Sequence, residues 1–236
     1  MVFKTVAVVV GAGMGRRVGT RRPKQFEEVS GRPLITYTLD IFDRMAEIDG
    51  IIVVVPADWV DFTRAMVTRC QYSRIIDVIP GGASRQMSSF SGVILARRFG
   101  GPHLKKIVVH DAVRPLASVE LVQKVLKAAD RTGAATAAAR VTDTIFSISG
   151  DTVTGVVDRS SLVAVQTPQA FDPELLVQAH RNALTAGITD ASDDVGLVLR
   201  DGGSAVVVES DTGNLKITYG SDMRLLERLL ETVKDE

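Results

Sequence analysis

The run Val6-Ala7-Val8-Val9-Val10 passes directly into Gly11-Ala12-Gly13-Met14-Gly15. A continuous β-branched run reads as a strand buried on both faces, and such strands belong to parallel sheets covered by helices. Glycines directly after it let the backbone bring its N–H groups to phosphate oxygens, because a side chain there blocks the approach or forbids the backbone angles. These ten residues already point to an α/β fold with an anion site at the end of its first strand.

The rest of the first half repeats the alternation. Leu34, Thr38, Leu39 and Phe42 recur at helical spacing. Ile51 to Val55 is a second buried strand, closed by Pro56, and Asp58 to Cys70 reads as a helix. Ile75 to Ile79 is a third strand, ended by Pro80-Gly81-Gly82. Met87, Phe90, Val93 and Ile94 mark another helix, and Ile107-Val108-Val109 a fourth strand. Strands alternating with helices of this length predict right-handed crossovers and a mostly parallel sheet with helices on both faces.

After about residue 135 the pattern changes. Thr144 to Ile148 alternates polar and apolar, Ser149-Gly150-Asp151 is a turn, and Thr152 to Val157 carries period 2 again, which predicts a β-hairpin. A hairpin inserted in an α/β chain needs a surface to cover it. A flap on its own chain is one reading; a dimerisation arm over residues 138–165 is the sharper one, and it is favoured. Helices are expected near Pro173–Ala186 and Ser221–Val233, with short strands near Ala205–Val208 and Leu215–Thr218. With no repeat, low-complexity stretch or linker, residues 1–236 are expected to form one domain.

Composition narrows the partners. The 28 Lys+Arg balance 28 Asp+Glu, so the basic surplus of a bulk nucleic-acid binder is missing. No apolar run approaches the ~18 residues of a membrane span, and Val6–Val10 is too short for a signal-peptide core. The single cysteine, Cys70, excludes an internal disulfide and a multi-thiolate metal site. A soluble, cytoplasmic protein is expected.

The glycine loop fails two familiar templates. A dinucleotide fingerprint needs a small residue where Arg16 stands, and the loop lacks the Gly-Lys-Ser/Thr ending of a Walker A motif. Instead it runs into Arg16, Arg17, Arg21, Arg22 and Lys24 around Pro23, five cations in nine residues. Glycine amides below and cations above make a clamp for a nucleoside triphosphate. A solvated basic loop is the plain alternative, but this edge of an α/β sheet is where ligands bind. On the same edge, Asp111 lies just past the fourth strand, with Arg114-Pro115 close behind. Its carboxylate is suited to Mg²⁺ bridging to substrate phosphates; an N-cap or turn residue paired with Arg114 is the alternative. His110 reads as packed, and His103 and His180 are given no role.

Five segments in order resemble one family: Gly13-x-Gly15-Arg16-Arg17 with Pro23-Lys24-Gln25-Phe26; His110 to Pro115; Val157-Asp158-Arg159-Ser160; Gln166 to Phe171; and Asn214 to Thr218. The chain resembles the 2-C-methyl-D-erythritol 4-phosphate cytidylyltransferases over nearly its whole length. The resemblance implies a nucleotide-diphospho-sugar-transferase-like fold and a homodimer whose arm reaches the partner's site. It implies Mg²⁺-dependent transfer from CTP to methylerythritol phosphate, releasing pyrophosphate, in non-mevalonate isoprenoid synthesis. By position, Arg17 and Lys24 match the family's transition-state stabilisers, and Gly11, Ala12, Gly13, Met14 and Gly15 its triphosphate loop. Gly82, Ala83 and Ser88 match the segment that reads cytosine, and Asp111, Ala112 and Arg114 that at the reacting phosphates. Thr144, Arg159 and Lys216 match the acceptor contacts, with Thr144 and Arg159 expected from the partner's arm.

The match is incomplete in ways that matter for substrate. Gly11-Ala12-Gly13 stands where the family usually has Ala-Ala-Gly, Ala83 stands where many members carry an acid, and Thr189-Asp190-Ala191-Ser192 lacks a second acid often found there. Ala112-Val113-Arg114, and Trp59 shortly after Pro56, also resemble the branch that makes CDP-ribitol from ribitol 5-phosphate, whereas Val157-Asp158-Arg159-Ser160 looks like the methylerythritol branch, which stays ahead. A nucleotide-binding protein without catalysis is a further alternative, separable by pyrophosphate release. An oxidoreductase would require NAD on the glycine loop, which Arg16 opposes.

Overall fold

The structure, a computed structural model, describes residues 2–13, 22–210 and 213–232. Met14, Gly15, Arg16, Arg17 and Arg21 lie outside the described residues.

In chain order, β1 (Thr5–Val10) is followed by the short pair β2 (Glu28–Val29) and β3 (Arg32–Pro33), then α1 (Leu34–Arg44), β4 (Gly50–Val55), α2 (Val60–Arg69), β5 (Ile75–Pro80), α3 (Arg85–Gly100) and β6 (Lys106–Asp111). Next come α4 (Val119–Ala128), β7 (Ala134–Arg140), β8 (Ile145–Ser149), β9 (Thr152–Val157), β10 (Val163–Phe171), α5 (Pro173–Thr185), α6 (Asp194–Arg200), β11 (Val206–Glu209) and α7 (Gly220–Thr232). The central sheet has seven strands in the order β11-β7-β10-β6-β1-β4-β5. β1 is parallel to β4 and β6, β4 to β5, and β7 to β11; β10 alone runs antiparallel, between β6 and β7.

The expected α/β class and mostly parallel sheet are present, and β1 shows why. Ala7 and Val9 face a core built with Ile35, Leu39 and Phe42 of α1, Met66 of α2 and Val122 of α4. Val6, Val8 and Val10 face the opposite core, with Val93 of α3, Leu176 of α5 and Val198 of α6. A strand with helices on both faces has no polar side, so its sequence does not alternate. The order also places the carboxyl ends of β1 and β6 side by side, with Val10 paired to Asp111.

β8 and β9 form the expected hairpin as a separate two-stranded sheet, turning at Gly150 with φ +56°. Its cross-strand pairs Phe146–Val156 and Ile148–Val153 are apolar and exposed. One expectation fails. Residues 215–218 are not a strand: Ile217 donates its N–H to Val113 O at 2.9 Å but joins no ladder. Its apolar character serves a small cluster, where it is buried with Val29, Leu34, Val113 and Leu226 of α7.

Candidate active site

A cleft of about 460 Å³ opens at the carboxyl ends of β1 and β6. Gly11, Ala12, Gly13, Lys24, Gly82, Ala83, Ser88, Asp111 and Lys216, all expected from the sequence, line it, and so does Arg85, which was not. Ala112 is fully buried behind Gly11, and Arg114 lies beneath the floor, so neither lines the cleft. Thr144 and Arg159 sit by the hairpin, both exposed, outside the cleft of their own chain.

The loop is held from three sides. Gly11 donates its N–H to Val54 O at 2.7 Å, and Ala112 donates to Val10 O at 2.9 Å. A Cβ on Gly11 would come within 2.7 Å of Ala112 Cβ. Gly11 is therefore a packing glycine whose amide is already bonded, and Ala12 and Gly13 are the described loop residues beyond the sheet ladder. The buried Gln25 side chain donates to Gly11 O and, at 3.2 Å, to Gly13 O, fixing the loop's path. Opposite, a Cβ on Gly81 would lie 2.2 Å from Ala12 Cβ, so the two loops close on each other only without a side chain there.

Ser84 caps α3, its hydroxyl accepting from Met87 N at 3.1 Å. Ser88 Oγ accepts from Gly82 N at 3.1 Å and donates to Ser84 O at 2.7 Å. The buried Ser88 hydroxyl is thus engaged both as donor and as acceptor, and it fixes Gly82 at the cleft wall.

Asp111 is the single carboxylate among the described residues lining the cleft. Its N–H donates to Thr167 Oγ1 at 3.0 Å. Its Oδ1 faces Arg85 Nε at 3.3 Å, and its Oδ2 lies 2.7 Å from Lys216 Nζ and 3.7 Å from Arg114 Nε. Burial alone pushes this carboxyl up, but Arg85, Lys216 and Arg114 outweigh it and hold the group well below the usual carboxylate range. Arg114 donates to Asn214 O at 2.8 Å, and the Asn214 amide donates to Gln166 Oε1 and Thr167 O. The segments around 111, 167 and 214 thereby converge on one carboxylate. Lys24 donates to Ile217 O at 2.8 Å, tying the first cationic segment to the last.

His110 is buried, packed edge-on to Phe42, with Nε2 3.2 Å from Arg114 O. Burial pushes its imidazole down to about 4, so it is neutral at pH 7 and packed as expected. His180 has a partner the sequence did not reveal: its Nε2 lies 3.0 Å from Asp194 Oδ1.

No group of three acidic, His or Cys side chains that could hold a metal ion occurs among the described residues. Mg²⁺ carried by a nucleotide needs no such group, since one carboxylate plus substrate phosphates suffices. Asp111 supplies one ionised carboxylate, its oxygens ion-paired to Arg85 and Lys216.

The family described as 2-C-methyl-D-erythritol 4-phosphate cytidylyltransferase matches residues 5–232. A protein named ribitol-5-phosphate cytidylyltransferase from Streptococcus agalactiae serotype III is 32% identical over 233 residues, covering 98% of this chain and 97% of that protein. A 2-C-methyl-D-erythritol 4-phosphate cytidylyltransferase from Geobacillus thermodenitrificans is 37% identical over 225 residues, covering 95% and 96%. Among solved structures, 4-diphosphocytidyl-2C-methyl-D-erythritol synthase from Anaerococcus prevotii superposes with TM-score 0.82 at 29% identity, covering 97% of this chain and 96% of that one. The Thermus thermophilus cytidylyltransferase gives 0.75 at 32% identity, covering 98% and 100%.

Proposed function

The chain belongs to the 2-C-methyl-D-erythritol 4-phosphate cytidylyltransferase family, and on that premise we propose that it joins CTP to 2-C-methyl-D-erythritol 4-phosphate, with release of pyrophosphate. The observation that carries this reading is the meeting of the glycine loop, Lys24, Arg85, Asp111 and Lys216 in one cleft. An oxygen of the acceptor phosphate attacks the α-phosphorus of CTP. A new P–O bond forms, the bond to the bridging oxygen breaks, and pyrophosphate leaves with its electron pair. A phosphate is already a nucleophile near neutral pH, so the cleft needs no general base. It needs to bring two polyanions together and hold charge on the five-coordinate phosphorus.

The residues divide that work. Ala12 and Gly13 offer backbone donors to the triphosphate, and Lys24 and Arg17 stabilise the charge that develops. Gly82, Ala83 and Ser88 form the wall for the cytosine ring. Lys216 receives the acceptor phosphate. Asp111 would hold Mg²⁺, which supplies neutralisation of the phosphate oxygens when bound. Arg114 and Ala112 act from behind, fixing Asp111 and the loop. Residues 1–236 act as one unit in a homodimer, with the hairpin as its arm: Thr144 and Arg159 lie away from their own cleft, and the exposed Phe146–Val156 and Ile148–Val153 pairs await a cover. The setting is cytoplasmic isoprenoid precursor synthesis.

A specific observation favours a second acceptor. Relatives named ribitol-5-phosphate cytidylyltransferase match at 32% identity over 98% of the chain, beside the Ala112-Val113-Arg114 sequence. Pyrophosphate release with each nucleoside triphosphate, against methylerythritol 4-phosphate and ribitol 5-phosphate in parallel, tests both. CTP turnover with the first alone supports the proposal, turnover with the second alone replaces it, and CTP binding with no turnover overturns catalysis.

A further inference from the structure

Arg85 is the first residue of α3, where the helix dipole disfavours a cation, and the first turn of that helix has no acid to offset it. Its guanidinium spans two carboxylates: Nη1 lies 2.8 Å from Asp194 Oδ2 and Nε 3.3 Å from Asp111 Oδ1. Asp194 is wholly buried at the start of α6. Its other oxygen accepts from Ser89 Oγ at 2.6 Å and meets His180 Nε2 at 3.0 Å, and His180 is stacked on Phe90. Its N–H donates to Gln169 Oε1 at 3.2 Å. Asp194 is thus an anchor fixed from α3, α5 and β10, and Arg85 is the link from it to the floor of the cleft.

We propose that Arg85 is a positioning residue for cytidylyl transfer: fixed by Asp194, it holds Oδ1 of Asp111 so that Oδ2 stays directed at Lys216 and the reacting phosphates. The terminal torsion of a carboxylate is broad, so the direction of its oxygens is set by what they bond. Here one oxygen is held by Arg85 and the other by Lys216, whose side chain is 41% exposed, with Arg114 Nε 3.7 Å from that same oxygen. The planar, forked guanidinium fixes the direction of both contacts, whereas an ammonium is a point charge on a flexible stem whose three donors impose no such geometry. The link rests on the role of Asp111 in the proposed function and adds a residue to it.

The test is a double-mutant cycle on the full-length protein with Arg85→Gln and Asp111→Asn, read as kcat and KM for CTP, with melting temperature recorded for each variant. Arg85→Gln is expected to lower kcat about 10-fold or more with little change in KM for CTP, and Arg85→Lys to recover little of it. The double variant is expected to be no slower than Asp111→Asn alone. Effects that multiply in the cycle, or an unchanged kcat, overturn the proposal. A crystal structure of Arg85→Gln gives a readout independent of turnover. A displaced Asp111 carboxylate supports the link, and an unmoved one refutes it. A wild-type protein that never releases pyrophosphate overturns the proposed function instead, while the crystal structure still decides the link. Should Arg85→Gln not fold, His180→Gln tests the same anchor: it is expected to lower kcat with KM for CTP unchanged, and an unaltered kcat counts against the anchor.

Discussion

Lys216 Nζ lies 2.7 Å from Asp111 Oδ2, yet the lysine side chain is 41% exposed and the aspartate side chain 8%. The pair therefore presents its positive member outward, and a phosphate entering the cleft meets the ammonium before the carboxylate. Lys216→Ala is expected to raise KM for the phosphorylated acceptor about 10- to 100-fold, the equivalent of one charge-assisted hydrogen bond, with a smaller effect on KM for CTP. Steady-state pyrophosphate release with each substrate varied in turn checks it; an effect confined to CTP would place Lys216 on the nucleotide instead.

Lys24 follows Pro23, whose fixed φ stiffens the approach, and precedes the buried Gln25 that holds the glycine loop. Its backbone is fixed on both sides and its ammonium is held by the bond to Ile217 O at 2.8 Å, as a group that stabilises a transition state must be. Lys24→Ala is expected to lower kcat roughly 10²-fold, by analogy with loss of one oxyanion donor. Rapid-quench turnover beside a melting curve separates this from unfolding, since the fold should be retained.

Much of the fold is legible in the sequence. Val6 to Val10 and Ile51 to Val55 carry their two-sided burial in their composition, and the hairpin carries its alternation and its glycine. The misses have physical causes. Ala134 to Arg140 is a strand rich in alanine, a weak β former; its burial comes from α4, β10 and β11 packing around it, which no local pattern records. Residues 215–218 alternate like a strand because Ile217 needs a pocket, not a ladder. Arg85 escaped because a charged residue early in a helix reads as solvent-facing, and Asp194 is far along the chain. One signal was available: a cation in the first turn opposes the helix dipole, and such local conflict marks functional positions.

His110 gives the fold a pH dependence of known sign. Burial lowers its folded pKa to about 4, whereas the unfolded chain titrates near 6.5. Between those values the unfolded state binds more protons, so stability falls as pH drops from about 6.5 to about 4 and then levels off for this group, by up to about 3 kcal/mol in total. Asp111 acts lower: its folded pKa is depressed, so its contribution is complete above about 4 and is lost below that. Urea unfolding at pH 7, 6, 5 and 4.5 should show the first slope, and His110→Gln should flatten it. An equal slope in both proteins would assign the effect elsewhere.

Gly81 joins the nucleotide side of the cleft to the loop after β1. A Cβ there would stand 2.2 Å from Ala12 Cβ and 2.8 Å from Ser88 Oγ. Ala12 Cβ cannot rotate away, so the loops must part. Gly81→Ala is expected to destabilise the fold by about 1–3 kcal/mol and to weaken CTP binding, as for an overpacked core. Chemical denaturation and calorimetric titration with CTP read the two effects, and an unchanged affinity would show that Ala12 does not contact the nucleotide.

Whether the hairpin serves its own cleft or its partner's has a decisive answer in mixed dimers. Arg159 is exposed, its guanidinium donating to Thr142 O near the base of the hairpin, outside the cleft that Lys24 lines. If the arm crosses, a mixed dimer of Lys24→Ala and Arg159→Ala subunits holds one site with both residues intact. Equal mixing after subunit exchange then makes about half the dimers mixed and restores about a quarter of wild-type turnover, although each variant alone is nearly inactive. If the arm folds over its own cleft, every site in the mixture lacks one residue and nothing is restored. Adding Val156→Glu to both chains should abolish the restored activity by placing a charge on the exposed Phe146–Val156 pair, with light scattering reporting loss of the dimer.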